Sequence, residues 1–524
     1  MPRVLLFLPW LLGALSVAAQ DQPPRDWFHL DFRDNGFYGV SSYKAYQQLL
    51  KNKKPQKTVI VAVLDSGVDF DHEDLKDVMW TNPGEIPGNG KDDDHNGYVD
   101  DIHGWNFIGG KDGRNVDHEQ LELTRLYLHY SGKFKNADPA HLSRRDKKEY
   151  ERYQAIRKEF EKARADAEAN QKRFEDLLDA LTELQKAFGK DDFSYKDLPP
   201  IHPKHPMASV VIDMLKNAPS VSALRGRLER AYDYYSKNVN YYYNPDYQVR
   251  AIVGDDYANS YERYYGNNDA KGPDPSHGTH VAGIIAAKRN NGIGMDGIAD
   301  HVRIMSVRVV PDGDERDKDV ANGIIYAVDN GARIINMSFG KPYAWDKDVV
   351  DKAVRYAEKH GVLIVHAAMN DSKNIDEQVV YPNDRYRRRG LFGPRYARNF
   401  MNVGALSWKK GEDAIATFSN YGKKNVDVFA PGVAIYSTTP NDTYASYNGT
   451  SMATPVTAGI AAVLMEYFPR LSAKQVKQII MDSAVPLHHQ VRKTDTHELA
   501  PMTELCRTGG VVNLYRAIQL AEKY

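Results

Sequence analysis

Short apolar runs alternate with helical patterns along this chain, and few fold classes accommodate that order. The runs are rich in valine and isoleucine, and they lie at residues 58–64, 302–310, 332–337, 362–368 and 426–430. Continuous runs of this kind form strands that are buried on both faces of a parallel sheet. Helical patterns lie between several of them, as at residues 318–330 and 345–360. The order therefore predicts an α/β fold whose mainly parallel sheet is covered by helices on both faces.

The composition narrows the class of protein further. Of the 524 residues, 42% are hydrophobic and 27% are charged, so the chain can bury a large core and is not disordered as a whole. Lys and Arg number 69 against 70 Asp and Glu, which argues against a nucleic-acid partner held by a basic field. The single cysteine, Cys506, excludes an intramolecular disulfide framework and a cysteine-based zinc cluster.

The first 20 residues follow the pattern of a secretory signal peptide. Arg3 precedes an apolar run at residues 4–19, and small residues around Ala19 mark an expected cleavage site near Ala19 or Gln20. The alternatives are a membrane anchor and a buried helix, but the run falls short of the ~20 apolar residues that span a bilayer. No later segment is apolar enough to cross a membrane. We therefore expect a secreted, periplasmic or cell-envelope protein of bacterial type, with residues 21–57 forming a linker and a short helix.

A long helical insertion is predicted at residues 112–253, where no strand-like run occurs. Two sets of residues recur there at seven-residue spacing and form the two seams of one heptad pattern: Tyr153, Phe160, Ala167, Phe174, Leu181 and Phe188, and Ile156, Ala163, Asn170, Leu177 and Leu184. Such a pattern predicts a long helix in a coiled-coil-like hairpin. Its expected partner is the helical stretch 209–237, after a proline-rich turn. The insertion is either a structural arm or an arm that docks partners or gates substrate access.

Three glycine-marked motifs carry residues suited to nucleophilic catalysis. Asp65-Ser-Gly directly follows the first apolar run, His277-Gly-Thr-His opens a helical pattern, and Gly449-Thr-Ser451 precedes another. A serine hydroxyl attacks only when a histidine takes its proton, and a carboxylate must orient that imidazole. Taken singly, each residue is more simply a turn residue or a packed core residue. Active sites of parallel α/β sheets lie beyond the carboxyl ends of the strands, where the sequence places Asp65.

Together these motifs resemble those of the subtilisin-like serine endopeptidases, the subtilases. The resemblance covers residues 59–108 and 274–520, through the segments VAVLDSG from Val61, SHGTHVAG from Ser276 and NGTSMATP from Asn448. It implies a three-layer α/β/α fold with a peptidase domain in two parts, residues 58–111 and 254–524. The site residues that the resemblance implies are a catalytic set, Asp65, His277, Ser451 and Asn370 (the oxyanion donor), and a substrate-binding edge, Ser338, Phe339 and Gly340.

The chain departs from the family pattern in three places. Met369 stands where the family usually has glycine before the oxyanion asparagine, which affects the shape of the pocket for the residue before the cut. The helical insertion separates Asp65 from His277, so it is expected to cap or flank the cleft. Only a short segment lies between the leader and Asp65, from which we expect maturation without autocleavage of a folding-assistant propeptide.

Two calcium sites are expected, one from a motif and one from the resemblance. Residues 92–97 match the first half of a calcium loop, with oxygen ligands at alternate positions and a glycine at the sixth. The candidate ligands are Asp92, Asp94, Asn96 and Asp100, and the alternative is a solvated acidic turn. The second site, implied by the resemblance, joins Asp74 to the loop 290–295. No organic cofactor is expected.

The sequence as a whole predicts a serine endopeptidase that cleaves proteins or peptides through an acyl-enzyme on Ser451. A second hypothesis is a catalytically weak subtilase that acts as a binding or scaffold protein through its helical arm. A third, a coiled-coil adaptor without an active site, requires the three motifs to be accidental. Substrate preference and oligomeric state stay open at this stage, since loop shapes and helix partners determine them.

Overall fold

A computed structural model describes residues 22–198, 204–388 and 393–524 of the protein. The expected signal peptide at residues 1–20 lies outside the described residues. The strands in chain order are β1 (Val59–Asp65), β2 (Gly104–Asn106), β3 (Val302–Arg308), β4 (Ile334–Met337), β5 (Leu363–Ala367), β6 (Phe400–Leu406), β7 (Val428–Pro431), β8 (Ile435–Thr439), β9 (Thr443–Tyr447), β10 (Val485–Pro486), β11 (Gln490–Arg492), β12 (Leu499–Pro501) and β13 (Gly510–Val511).

Nine of these strands form one sheet in the order β10-β13-β7-β6-β5-β4-β1-β3-β2. All neighbouring pairs in it are parallel except β10 with β13. The remaining strands form two antiparallel pairs, β8 with β9 and β11 with β12. The central position of β1, between β3 and β4, places the carboxyl end of β1 in the middle of one sheet edge.

The helices in chain order are α1 (Phe32–Asn35), α2 (Ser42–Lys44), α3 (Glu122–Phe134), α4 (Arg144–Phe188), α5 (Ala208–Leu215), α6 (Val221–Lys237), α7 (Ser276–Ala286), α8 (Asp317–Asp329), α9 (Lys347–Lys359), α10 (Thr450–Tyr467), α11 (Ala473–Asp482) and α12 (Leu514–Ala521). One apolar cluster joins a face of the sheet to α7, α10, α11 and α12, and another joins the opposite face to α8 and α9. Within β1, Val61 and Val63 belong to the first cluster, whereas Ala62 and Leu64 belong to the second. This alternation explains the continuous apolar run, because both faces of the strand are buried. The predicted three-layer α/β/α fold is confirmed.

The helical insertion forms two apolar clusters rather than one continuous hairpin. The second half of α4 packs on α5 and α6 around Leu177, Leu181 and Leu184. The first half packs on α3 instead, through Tyr153, Ile156 and Phe160, a partner that the heptads did not reveal. The predicted partner stretch 209–237 is interrupted between α5 and α6, where Ser220 caps the second helix through the N–H of Ala223.

The segment before β1 is part of the fold. Trp27 and Phe28 are almost completely buried in the cluster that contains α10, and the indole N–H of Trp27 donates to the Val433 carbonyl. The expected short helix is present as α2 followed by a π-helical turn at Ala45–Leu50. No helix in the three described ranges is at once long enough and apolar enough to cross a bilayer.

Candidate active site

Asp65 and His277 are in direct contact although the whole insertion separates them in the chain. Asp65 ends β1, and His277 lies in the first turn of α7. The His277 Nδ1 lies 2.7 Å from Asp65 Oδ1, which also accepts the N–H of Ser66 at 2.8 Å. Gly278 makes this approach possible, because a Cβ on it would lie 2.1 Å from the Gly67 carbonyl oxygen. The glycine after the histidine therefore has a steric role.

The electrostatics of this pair favour a protonated imidazole. Burial lowers the pKa of His277, but the charge of Asp65 and its hydrogen bond raise that pKa more, and Asp274 adds to the effect. The pKa of His277 therefore lies above its ordinary value of 6.5. Asp65 is 2% exposed, and its Oδ2 has no hydrogen-bond partner among the described residues. A carboxylate in this position stabilises an imidazolium and holds the proton on Nδ1, which leaves Nε2 free to accept one.

Ser451 lies in the first turn of α10 and is held there by Ser338. Its hydroxyl donates to the Ser338 carbonyl at 3.0 Å, and no hydrogen bond to His277 is formed in the described structure. The Ser338 hydroxyl in turn donates to the Ser451 carbonyl at 2.9 Å. Pro455 explains this second bond, because a proline four residues on cannot supply the usual helical N–H to that carbonyl. Ser338 also lines one cavity with Asp65 and His277, so it connects the acid–imidazole pair to the serine.

Asn370 contacts the start of the same helix. Its side-chain oxygen accepts the N–H of Thr450 at 2.9 Å and the Thr450 hydroxyl at 3.0 Å. The amide therefore directs its nitrogen away from Thr450. Within the described residues, neither this NH₂ group nor the N–H of Ser451 has an acceptor. Backbone and side-chain N–H donors of this kind are the groups that stabilise a developing oxyanion. The N-terminus of α10 adds positive partial charge there.

The predicted substrate edge follows β4. Phe339 is buried in the cluster of α8 and α9, so its side chain faces the core. Gly340 has no backbone hydrogen bond within the described chain, and the next residue, Lys341, pairs with Tyr381 in an antiparallel bridge. Met369 has a φ of 76°, in the left-handed region that favours glycine. Met369, which stands where the family usually has glycine, therefore has a strained backbone.

One end of the helical insertion reaches the cavity beside His277. This cavity, of about 290 Å³, is lined by Asp65, His277 and Ser338 and also by Lys237 at the end of α6, Asp274 and Asp312. Lys237 donates to Asp312 at 2.7 Å, and the backbone of Asp312 bonds to the carbonyl of Asp117 at 2.8 Å. Lys237 therefore places one end of the insertion beside His277, as expected for an insertion that flanks the cleft.

The acidic loop brings together a partly different set of residues from the one predicted. Carboxylate oxygens of Glu85, Asp92 and Asp94 lie within 4.8 Å of one another. Asn96 is near, since its side chain donates to Asp94 at 3.1 Å. Asp100 instead accepts the backbone N–H groups of Asn89 and Gly90, which ties it to a neighbouring turn. Glu85 was missed because it lies outside the loop motif. Three close hard oxygens suit Ca²⁺, which takes six to eight such ligands.

At the second expected calcium site, Asp74 contacts the loop 290–295. Its carboxylate accepts the Asn291 side chain at 2.6 Å and the N–H of Met295 at 3.3 Å. Burial raises the pKa of Asp74, and these two hydrogen bonds offset part of that effect. Both carboxylate oxygens are therefore engaged by the loop itself.

Comparison with known proteins assigns the family. The sequence profile described as "Subtilase family" matches residues 56–509. The chain belongs to the subtilase family. Subtilisin BL from Lederbergia lenta is 39% identical over 212 residues, 40% of this chain and 71% of that protein. Thermitase from Thermoactinomyces vulgaris is 36% identical over 244 residues, 46% of this chain and 75% of that protein. These subtilase relatives support serine protease activity.

Another subtilase relative is matched over less of its length. The thermophilic serine proteinase of Bacillus sp. (strain AK1) is 39% identical over 225 residues, and the chain spans 49% of that protein. Among solved structures, one titled as proteases from Pseudoalteromonas arctica PAMC 21717 is 26% identical, with a TM-score of 0.39. The structural match covers 49% of the present chain and 79% of the chain in that solved structure.

Proposed function

We propose that this subtilase is an exported serine endopeptidase that cleaves proteins or peptides through an acyl-enzyme on Ser451. The observation that carries the proposal is the 2.7 Å contact between His277 Nδ1 and Asp65 Oδ1. Ser338 lines the same cavity and bonds to Ser451 at the N-terminus of α10. Asp65 orients the imidazole and stabilises its cation, and His277 serves as general base and then as general acid. Asn370 and the N–H of Ser451 bind the oxyanion.

The catalytic step needs one rotation in the site. The Ser451 hydroxyl now donates to the Ser338 carbonyl, so the hydroxyl has to turn and direct its proton to His277 Nε2. Catalytic hydrogen bonds are often long or absent before substrate binds. Attack then forms the Ser451 Oγ–carbon bond, the imidazolium protonates the leaving amine, and water reverses the sequence to release the acid. A peptide paired with the free backbone of Gly340 presents its carbonyl to this serine.

A fluorophosphonate probe tests the proposal directly. We expect the probe to label the wild-type protein and to leave Ser451→Ala unlabelled, because only an activated serine reacts with it. The matched control is Ser446→Ala, which removes an exposed serine of β9 and should label like the wild type. Absence of labelling in a folded wild-type protein would favour the second hypothesis, a scaffold protein that acts through its helical arm.

The acidic loop supports a structural calcium ion as part of this proposal. Glu85, Asp92 and Asp94 would hold the ion through carboxylate oxygens, and the Asn96 side chain lies close enough to contribute. When bound, the ion would neutralise charges that otherwise repel one another at this loop. The export signal at residues 1–20 and the use of protein substrates belong to the same proposal.

Calcium is expected to raise the melting temperature of chelator-treated protein. A ligand that binds only the folded state stabilises it by mass action, which is ~2.7 kcal/mol at a free concentration 100 times the Kd. Asp92→Asn should abolish most of the response. Asp93→Asn should retain it, because the Asp93 carboxylate accepts from Asn89 and Ile86 and is not one of the clustered carboxylates. A melting temperature that does not change with calcium would contradict the proposed calcium site. Equal calcium-induced shifts in the two variants would also contradict it.

A further inference from the structure

Met369 is a strained residue that immediately precedes Asn370 of the candidate active site. Its φ of 76° is unfavourable for any residue with a Cβ, and the next residue is Asn370. Strained backbone of this kind persists where the surroundings over-determine it, and it is concentrated at functional sites. The strain at Met369 therefore points to a functional role for its side chain.

A buried asparagine holds the strained loop in place. Asn420 donates from its backbone to the Met369 carbonyl at 2.9 Å and from its side chain to the Ala368 carbonyl at 2.8 Å. The side-chain oxygen of Asn420 accepts the N–H of Asp371 at 3.1 Å and of Lys373 at 2.8 Å. One fully buried side chain thus fixes the backbone on both sides of Met369. The direction of the methionine side chain follows from this fixed backbone.

The thioether of Met369 lies against Gly340. A Cβ placed on Gly340 would lie 3.0 Å from Met369 Sδ and 3.3 Å from Met369 Cγ. The side chain therefore spans the space between the oxyanion segment and the backbone edge proposed to pair with substrate. Met369 is partly exposed and is not part of the core.

The position of a bound substrate follows from the proposed function, on which this inference rests. The attacked carbonyl carbon must reach Ser451 Oγ while its oxygen faces Asn370. The side chain of that substrate residue begins two bonds from the attacked carbon. It therefore enters the space beside Asn370 and Gly340, where the Met369 thioether lies against Gly340.

We propose that Met369 determines specificity by restricting the cleft to small side chains on the residue before the scissile bond. Alanine, serine and glycine fit beside the thioether, whereas leucine and phenylalanine require it to move. The strained backbone, held by Asn420, directs the thioether across the cleft. A single methylene in such a pocket changes kcat/KM about 10- to 200-fold, so exclusion of a whole ring is a large effect.

The test uses peptide substrates that differ only in the residue before the cut, which is alanine, leucine or phenylalanine. We expect the wild type to prefer alanine and Met369→Gly to raise the phenylalanine-to-alanine ratio of kcat/KM by about tenfold or more. Met369→Ala keeps the unfavourable φ but removes the thioether, so it should change the ratio in the same direction. A wild type that cleaves the phenylalanine peptide as well as the alanine peptide would overturn the proposal.

A second strained residue in the same loop provides the matched control. Ser372 has a φ of 54°, and its side chain bonds to the Thr417 carbonyl, away from Gly340. Ser372→Gly should therefore leave the ratio unchanged, and a change as large as that of Met369→Gly would assign the effect to loop flexibility. Fluorophosphonate titration of each variant counts active sites. An unlabelled wild type refutes the proposed function, and this inference with it, whereas full labelling with unchanged ratios refutes the inference alone.

Discussion

Replacing Asp65 by asparagine is expected to lower kcat by about four orders of magnitude while the protein stays folded. The carboxylate now accepts the Nδ1–H of His277 at 2.7 Å. An asparagine amide in its place can donate to Nδ1 instead, which moves the imidazole proton to Nε2. The imidazole then has no lone pair for the Ser451 proton, so the loss should fall on kcat more than on KM.

The pH profile of the same variant is a second readout. The charge of Asp65 helps to raise the pKa of His277 above 6.5, and a base must be unprotonated to act. Wild-type activity should therefore fall as the pH drops through that raised pKa. Without the Asp65 charge, burial lowers the pKa of His277, and the acid limb of the residual activity should move to lower pH.

Asp274→Asn is the matched control for this experiment. Asp274 also raises the pKa of His277 through its charge, but its carboxylate bonds to Ser276 and makes no contact with Nδ1. We expect this variant to retain kcat within a few fold while its acid limb moves slightly to lower pH. An Asp65→Asn enzyme with more than a tenth of wild-type activity would exclude the orienting role of Asp65.

The sequence predicted those parts of the structure that depend on local pattern. The run that forms β1 indicated a strand buried on both faces, and it placed Asp65 at its carboxyl end. The small-residue motif after His277 anticipated a helix, and the structure adds the reason, the close approach of Gly278 to Gly67. In each case the residues that determine the local structure lie within the motifs themselves.

The parts that could not be predicted depend on contacts between distant segments. The heptads required some partner for α4, but nothing in their spacing distinguishes α3 from α6 as the partner of its first half. Glu85 joins the acidic loop through a turn that has no motif of its own. Pro455 was visible in the motif, yet the use of Ser338 to satisfy the Ser451 carbonyl depends on the fold.

A buried ion network connects the helical insertion to the substrate edge. Lys341, the residue after Gly340, is 2% exposed, and its ammonium donates to Glu122 of α3 at 2.7 Å. It also lies 2.9 Å from Asp317 and donates to the Glu315 carbonyl at 2.7 Å. Burial opposes the charge of Glu122, but Arg125 and Lys341 lower its pKa to about 2. The network holds the insertion, the loop before α8 and the edge at Gly340 together.

Replacing Lys341 by methionine is therefore expected to lower the free energy of unfolding by about 3–5 kcal/mol, because buried carboxylates lose their partner. Urea unfolding measures this loss. The matched control is Lys172→Met on α4, whose ammonium lies 3.0 Å from Asp176 but is 66% exposed. Such a surface pair contributes about 0–1 kcal/mol. Equal costs in the two variants would show that the Lys341 network does not hold the insertion to the core. Where Lys341→Met remains folded, a raised KM with less change in kcat would place the network's effect on the substrate edge.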